Sequence, residues 1–268
     1  SVSRYSTENA SETKASSGFL LRVEMPNSSS TPPLPPRMSI AENIARVRAN
    51  IAAAAKEAGR DVSEITLVGA SKMNDADACR QAIAAGIDVL GENREQEMTK
   101  KLAEHAYDGA PLHFIGHLQR NKVKNVVGKV AMIESVGSLE LLSAIDKQAE
   151  KLGIVQDILL EVNIGGEEAK SGFAPESLEQ AAEEAKKCAN VRVRGLMCIP
   201  PVAEGEHGSL PYFEKVHALF VDINAKLYDN TLDILSMGMS GDYEDAVRAG
   251  ATMVRVGTAI FGARNYTI

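Results

Sequence analysis

Short apolar runs recur along this chain, each closed by a polar or glycine-rich turn and most of them followed by a helical stripe. They are Ile65–Lys72 (ITLVGASK), Asp88–Asn93, Leu112–Gly116, Ala131–Val136, Asp157–Asn163, Val193–Ile199, Ile234–Met239 and Met253–Gly262. The first is nearly continuous in apolar character rather than alternating, as in a strand buried on both faces of a parallel sheet. Strict alternation of strand and helix argues for such a sheet, because parallel neighbours need a crossover between them. Eight units in about 230 residues predict a closed α/β barrel of the (β/α)8 TIM type. An open doubly wound sheet is the other arrangement that the alternation permits.

The helical stretches carry their own punctuation. Ser39 and Glu42 form a capping-box pattern, and Ile40, Ile44, Val47, Ile51 and Ala55 make a stripe that stops at Gly59. No helix is expected after the eighth strand, so this first helix is placed to cover the seam. Asn74, Asp75 and Asp77 open a second helix that ends at Gly86. Leu142, Ile145, Ala149 and Leu152 share one face of a helix over 139–152, with Gly153 as its stop. Pro175 suits the first turn of a helix reaching Cys188, and a further helix is expected over 212–228.

Residues 1–37 differ from the rest: they are rich in Ser, Thr, Asn and Pro and close on SSSTPPLPPR. They are expected to be a disordered arm before a barrel domain at 38–268. Arg4, Lys14, Arg22, Arg37 and many serines resemble a transit peptide, but Glu8, Glu12 and Glu24 oppose that reading. The expected location is therefore cytoplasmic. A formal charge of −7 gives no electrostatic case for nucleic acid or an anionic membrane as partner. No apolar run approaches the roughly 20 residues of a membrane span. Cys79, Cys188 and Cys198 are few, odd in number and widely spaced, which suits a reducing compartment and gives no zinc spacing. A monomer or weak dimer is expected.

In a parallel barrel, function gathers at the carboxyl ends of the strands. Here those ends supply Lys72, Glu92, Asn93, His117, Asn163, Pro200, Met239, Ser240, Gly241, Arg255, Gly257 and Thr258. The segment SMGMSGDYEDAV runs from the seventh strand into a helix, with Ser240 as the expected N-cap. Asp242, Glu244 and Asp245 are expected to turn outward, since they would repel an anion. RVGT at 255–258 adds a glycine and a hydroxyl at the next strand end. Together these turns predict a phosphate site. Closure brings the first strand beside the eighth, so Lys72 lies next to that site. A lysine there suits an imine with a phosphorylated aldehyde, its pKa lowered by burial. Pyridoxal phosphate and a sugar phosphate held by an aldolase lysine both meet these demands. Lys170, in the loop after the fifth strand, is the other lysine considered. The 200–211 segment is long and irregular, and His113 and His117 lack zinc-pair spacing.

The segments GASK, DVLGENREQE, LHFIGHLQRNKVK, LEVNIGGEEAKSGF, RGLMCIPP and LSMGMSGDYEDAVRAGATMVRVGTAIFGAR resemble the pyridoxal-phosphate homeostasis proteins over about residues 38 to 266. The resemblance implies the fold of the alanine racemase N-terminal domain, with pyridoxal 5'-phosphate (PLP) held as an imine by Lys72. It implies phosphate contacts from Ser240, Gly257 and Thr258, flanked by Met239 and Gly241, with Arg255 at the pyridine nitrogen and Asn93 near the ring. It also implies a carrier or buffer serving vitamin B6 homeostasis and PLP-dependent apo-enzymes, rather than a catalyst. A PLP-dependent amino-acid racemase is the alternative. Racemisation needs a second acid–base group opposite the lysine, which alanine racemases take from a C-terminal domain. The chain ends six residues after Gly262, leaving Tyr243 and Tyr266 as the nearest substitutes. Met73 and Asn74 follow Lys72 where the family usually has threonine and then proline. Arg94 stands where an aromatic is common, and Gly165 where serine is usual.

Overall fold

The computed structural model describes residues 37–167 and 171–262. The expected arm, except Arg37, lies outside the described residues, as do Lys170 and Tyr266. Eight parallel strands close into a barrel in sequence order. They are β1 (Thr66–Ala70), β2 (Val89–Glu92), β3 (Leu112–Phe114), β4 (Met132–Val136), β5 (Gln156–Val162), β6 (Val191–Cys198), β7 (Ile234–Ser236) and β8 (Met253–Val256). Each falls within or against one of the eight apolar runs. The pairing of Thr66–Gly69 with Met253–Val256 closes the sheet, which excludes the open arrangement.

The helices are α1 (Ile40–Glu57), α2 (Ala76–Ala84), α3 (Glu95–Ala103), α4 (Leu139–Leu152), α5 (Leu178–Lys186), α6 (Leu210–Leu227), α7 (Tyr243–Arg248) and α8 (Thr258–Phe261). The capping box forms as expected, with Ser39 and Glu42 each accepting the other's backbone amide. Gly153 ends α4 in the left-handed conformation, φ 65°, which glycine adopts without steric cost. One local expectation changes: a short helix, α8, does follow the last strand. The β3 crossover is a 3-10 turn at Arg120–Asn125. That basic segment buries Val123 but has no continuous apolar stripe.

The seam is nevertheless covered by α1. Asn43 Nδ2 donates to the Ile260 carbonyl at 2.8 Å, and Asn50 Nδ2 donates to the Tyr243 hydroxyl at 2.9 Å. On the other side, Arg48 donates to the Gly86 carbonyl at 2.7 Å and pairs with Asp88. Ile44, Val47 and Ile51 are buried beneath, each worth about 1.5–3 kcal/mol by removal from water.

Inside the barrel, side chains follow the two-residue period of the strands. One group of interior residues is apolar: Val68, Val89 and Met253 form one cluster, and Met132, Leu159 and Met197 another, with Ile234 against both. Two residues further along their strands stand Glu134, Ser236 and Arg255, a polar layer toward the carboxyl rim.

Candidate functional site

The cavity at the carboxyl rim has a volume of about 250 Å³. Lys72, Asn93, Met239, Ser240, Gly241, Arg255, Gly257 and Thr258 all line it, so the residues picked from strand ends converge on one place. Ala70, Asn74, Ile115, Ile199 and Gly262 complete the wall. Of the other strand-end residues, His117 is exposed, and Asn163 donates to the Glu167 carbonyl at 2.8 Å. Glu92 faces outward from the barrel. Asn93 faces inward, so its neighbour in the strand must point the other way.

Ser240 is not the helix cap that its position implied. Asp242 is the N-cap of α7, and its Oδ1 accepts from Met239 N at 2.7 Å, folding the loop back on itself. The carboxylates are therefore not all outward: Asp245 is buried and pairs with Arg248 and His207. Ser240 instead bridges two strand ends. Its Oγ accepts from the amides of Gly257 and Ala259 at 3.3 and 3.1 Å. Two amides thus converge on one oxygen acceptor beside the cavity. A Cβ at Gly241 would meet nothing within 4 Å, and one at Gly257 would stand 3.2 Å from the Ala70 carbonyl oxygen. Backbone can be approached at Gly241, while the space at Gly257 admits no side chain comfortably.

Arg255 reaches into the barrel at 3% exposure. It donates to Ser236 Oγ at 2.7 Å and to the Cys198 carbonyl at 3.0 Å. Ser236 Oγ donates in turn to Glu134 Oε1 at 2.5 Å, and Glu134 Oε2 stands 2.7 Å from His113 Nδ1. Burial pushes the Glu134 carboxyl toward protonation, but His113, Arg255 and Ser236 more than offset it. Its pKa lies below the ordinary glutamate range, so it remains a carboxylate and fixes Nδ1 of His113 as a donor. Glu161, on the next strand, is pushed up by burial, against the pull of Ser171, Arg255 and His117. Among the described residues no cluster of three metal-ligating side chains occurs.

Glu134, Ser236 and Glu161 escaped the reading of strand ends because they sit one turn of the pleat below the rim. Their signal is the period of two: Met132–Glu134, Ile234–Ser236 and Leu159–Glu161 share a face. Tyr243 is turned away from the site toward α1, with its hydroxyl accepting from Asn50.

A primary amine, two hydroxyls, approachable backbone and a buried cation on one cavity suit a phosphorylated aldehyde. Fold and site together define a (β/α)8 barrel of the alanine racemase N-terminal type, and residues 43–265 match the family described as "Alanine racemase, N-terminal domain". Within that class, the chain belongs to the pyridoxal phosphate homeostasis protein family. The protein of that name from Aquifex aeolicus is 44% identical over 229 residues, covering 85% of this chain and all of the relative. Its Escherichia coli K12 counterpart is 38% identical, covering 85% and 98%. The structure of PipY from Synechococcus elongatus with PLP bound superposes with a TM-score of 0.73 at 31% identity, covering 84% of this chain and 100% of PipY. An alanine racemase from Clostridium difficile, 19% identical with a TM-score of 0.65, covers 86% of this chain but only 57% of its own and shares the fold.

Proposed function

We propose that this protein binds pyridoxal 5'-phosphate at the carboxyl rim of its barrel and carries or buffers it, without turning over amino acids. The observation that carries the reading is the single cavity shared by Lys72 with Ser240, Gly241, Gly257 and Thr258. When bound, PLP supplies an aldehyde that condenses reversibly with a primary amine. Lys72 would provide that amine and so retain the cofactor covalently. Ser240 and Thr258 offer hydroxyls, and Gly241 and Gly257 bring backbone close to the phosphate position. Asn93 and Met239, which line the same cavity, would help to hold the ring.

Arg255, held rigid by Ser236 and the Cys198 carbonyl, would supply a fixed positive charge to the pyridine nitrogen of a bound cofactor. A cation there disfavours protonation of that nitrogen and weakens the ring as an electron sink. The described residues lining the cavity include no tyrosine, histidine or carboxylate opposite Lys72 to serve as a second acid–base group. The second feature, with the names of the relatives, favours holding over racemisation. The natural partners on this reading are PLP and the apo-enzymes that receive it. A cytoplasmic location suits the three unpaired cysteines. No helix among the described residues is long and apolar enough to cross a membrane.

The test is incubation of the PLP-loaded protein with single L-amino acids in deuterium oxide. Negligible α-deuterium incorporation is expected. Steady incorporation at enzyme-like rates, about 1 per second or faster, would overturn the carrier reading.

A further inference from the structure

Behind the cavity, on the outer face of the sheet, lies a second polar cluster that the cofactor site does not use. Lys101 is 5% exposed, and its Nζ donates to Glu92 Oε1 at 2.8 Å, Glu97 Oε2 at 2.6 Å and the Ser71 carbonyl at 2.9 Å. Glu92 Oε1 also accepts from Ser71 Oγ at 2.5 Å and from Tyr107 OH at 2.9 Å. Burial alone would lower the Lys101 ammonium, but Glu92 and Glu97 more than offset it and hold its pKa above the ordinary lysine range. The ammonium is thus a permanent strut at neutral pH.

The cluster grips both neighbours of Lys72. Ser71 is held through its carbonyl by Lys101 and through its hydroxyl by Glu92. Met73 donates its backbone N–H to both carboxylate oxygens of Glu97, at 2.9 and 3.1 Å. That residue has φ 62°, a conformation non-glycine residues adopt rarely. The turn is closed by Asn74 N donating to the Ser71 carbonyl at 2.9 Å, and Asn74 Nδ2 donates to the Lys72 carbonyl at 3.1 Å. An unaided chain would relax Met73 toward negative φ, which would rotate the peptide after Lys72 and swing its side chain.

We propose that Glu97 and Lys101, with Glu92, are positioning residues that clamp the Ser71–Asn74 turn and so aim Lys72 into the barrel. Glu97 and Lys101 come from one turn of α3, spaced i, i+4, so one rigid element reaches both neighbours of Lys72. Glu92 completes the clamp from the end of β2. The clamp rests on the reading of Lys72 as the point of PLP attachment. It accounts for a buried lysine and two acids on the far side of the sheet from the ligand, where they touch nothing that reacts. It also explains how a methionine follows the lysine in a left-handed turn: the carboxylate that binds its N–H holds the backbone there.

The experiment compares Glu97→Ala and Glu97→Gln with the unaltered protein, following PLP uptake by absorbance and melting of the apoproteins by circular dichroism. Glu97→Ala removes the acceptor of the Met73 amide and one of the two carboxylates paired with Lys101. It is expected to weaken PLP binding roughly tenfold while the apoprotein, with Lys101 still paired to Glu92, keeps a cooperative melt. Glu97→Gln keeps an acceptor oxygen and is expected to recover most of the affinity. Unchanged affinity in Glu97→Ala, or equal losses in both variants, overturns the clamp. Should the alanine variant not fold, Glu97→Asp keeps the charge but shortens the reach by one methylene. It is expected to bind more weakly, and unaltered affinity there overturns the proposal. Amide exchange at Met73 in the apoproteins separates the clamp from the cofactor reading. If the unaltered protein takes no PLP on Lys72, the cofactor reading fails. The clamp still stands if the Met73 amide is protected and Glu97→Ala exposes it, and falls if protection is unchanged.

Discussion

Replacing Glu134 by glutamine removes one charge from the barrel interior and leaves the volume nearly unchanged. Glu134 is fully buried and accepts from Ser236, which in turn accepts from the guanidinium of Arg255. At an effective dielectric of about 20, unit charges about 5 Å apart attract by about 3 kcal/mol. Breaking a buried pair while its cation stays in place costs about 3–5 kcal/mol by comparison with similar pairs. The two figures agree, so Glu134→Gln should lower the unfolding free energy of the apoprotein by about 3 kcal/mol, or the melting temperature by about 6–12 °C for a domain this size. Urea unfolding followed by circular dichroism measures it. Because the folded pKa of Glu134 is depressed, its contribution is full above the ordinary 4.5 and is lost only as pH falls through the lower folded value. The gap between protein and variant should close only in that acid window. Adding Arg255→Met removes the stranded cation and should restore much of the loss. A loss below about 1 kcal/mol, or a double variant no more stable than the single, would refute the coupling of Glu134 to Arg255.

Two further outcomes follow from other parts of the rim. A Cβ added at Gly116 would collide with the carbonyl oxygen of Asn93, so Gly116→Ala must displace backbone at the cavity wall. A loss of about 1–3 kcal/mol in urea unfolding is expected, together with weaker PLP binding; unaltered values for both would contradict the close approach. His207 Nδ1 lies 2.8 Å from Asp245 Oδ2 and ties the 200–209 segment to α7. The hydrogen bond and charge of Asp245 raise its pKa, with Glu206 adding and Arg248 opposing. A raised folded pKa means the tie is complete below the ordinary 6.5 and is lost as pH rises through the folded value. Proteolysis within 200–209 should therefore accelerate only as pH rises above the ordinary 6.5 and through the raised folded value, beyond the protease's own profile. In His207→Gln that extra acceleration should vanish, and its persistence would count against the tie.

The barrel was legible because the pattern of apolar runs and helical stripes repeats, and eight repeats over this length leave few other closures. The cavity was legible for a related reason. Residues at strand ends must meet at one rim, so Lys72, Asn93, Ser240, Arg255 and Thr258 needed no contact information to be grouped. What failed was local or long-range. Ser240 and Asp242 are both good caps, and only the backbone decides between them. Helix α8 is four residues long between glycines, too short for a stripe. Glu92 stands at a strand end with the rim residues, yet strand parity with Asn93 puts it outside the barrel. Glu97 and Lys101 look like an ordinary exposed i, i+4 pair, and nothing local reveals that Ser71 and Met73 lie against them.

The central claim is that Lys72 holds the cofactor. Borohydride reduction of the protein with PLP, followed by proteolysis and mass mapping, tests it most directly. A single phosphopyridoxyl label on the peptide carrying Lys72, absent from Lys72→Ala, is the predicted result. A label on Lys170, or none, would contradict it.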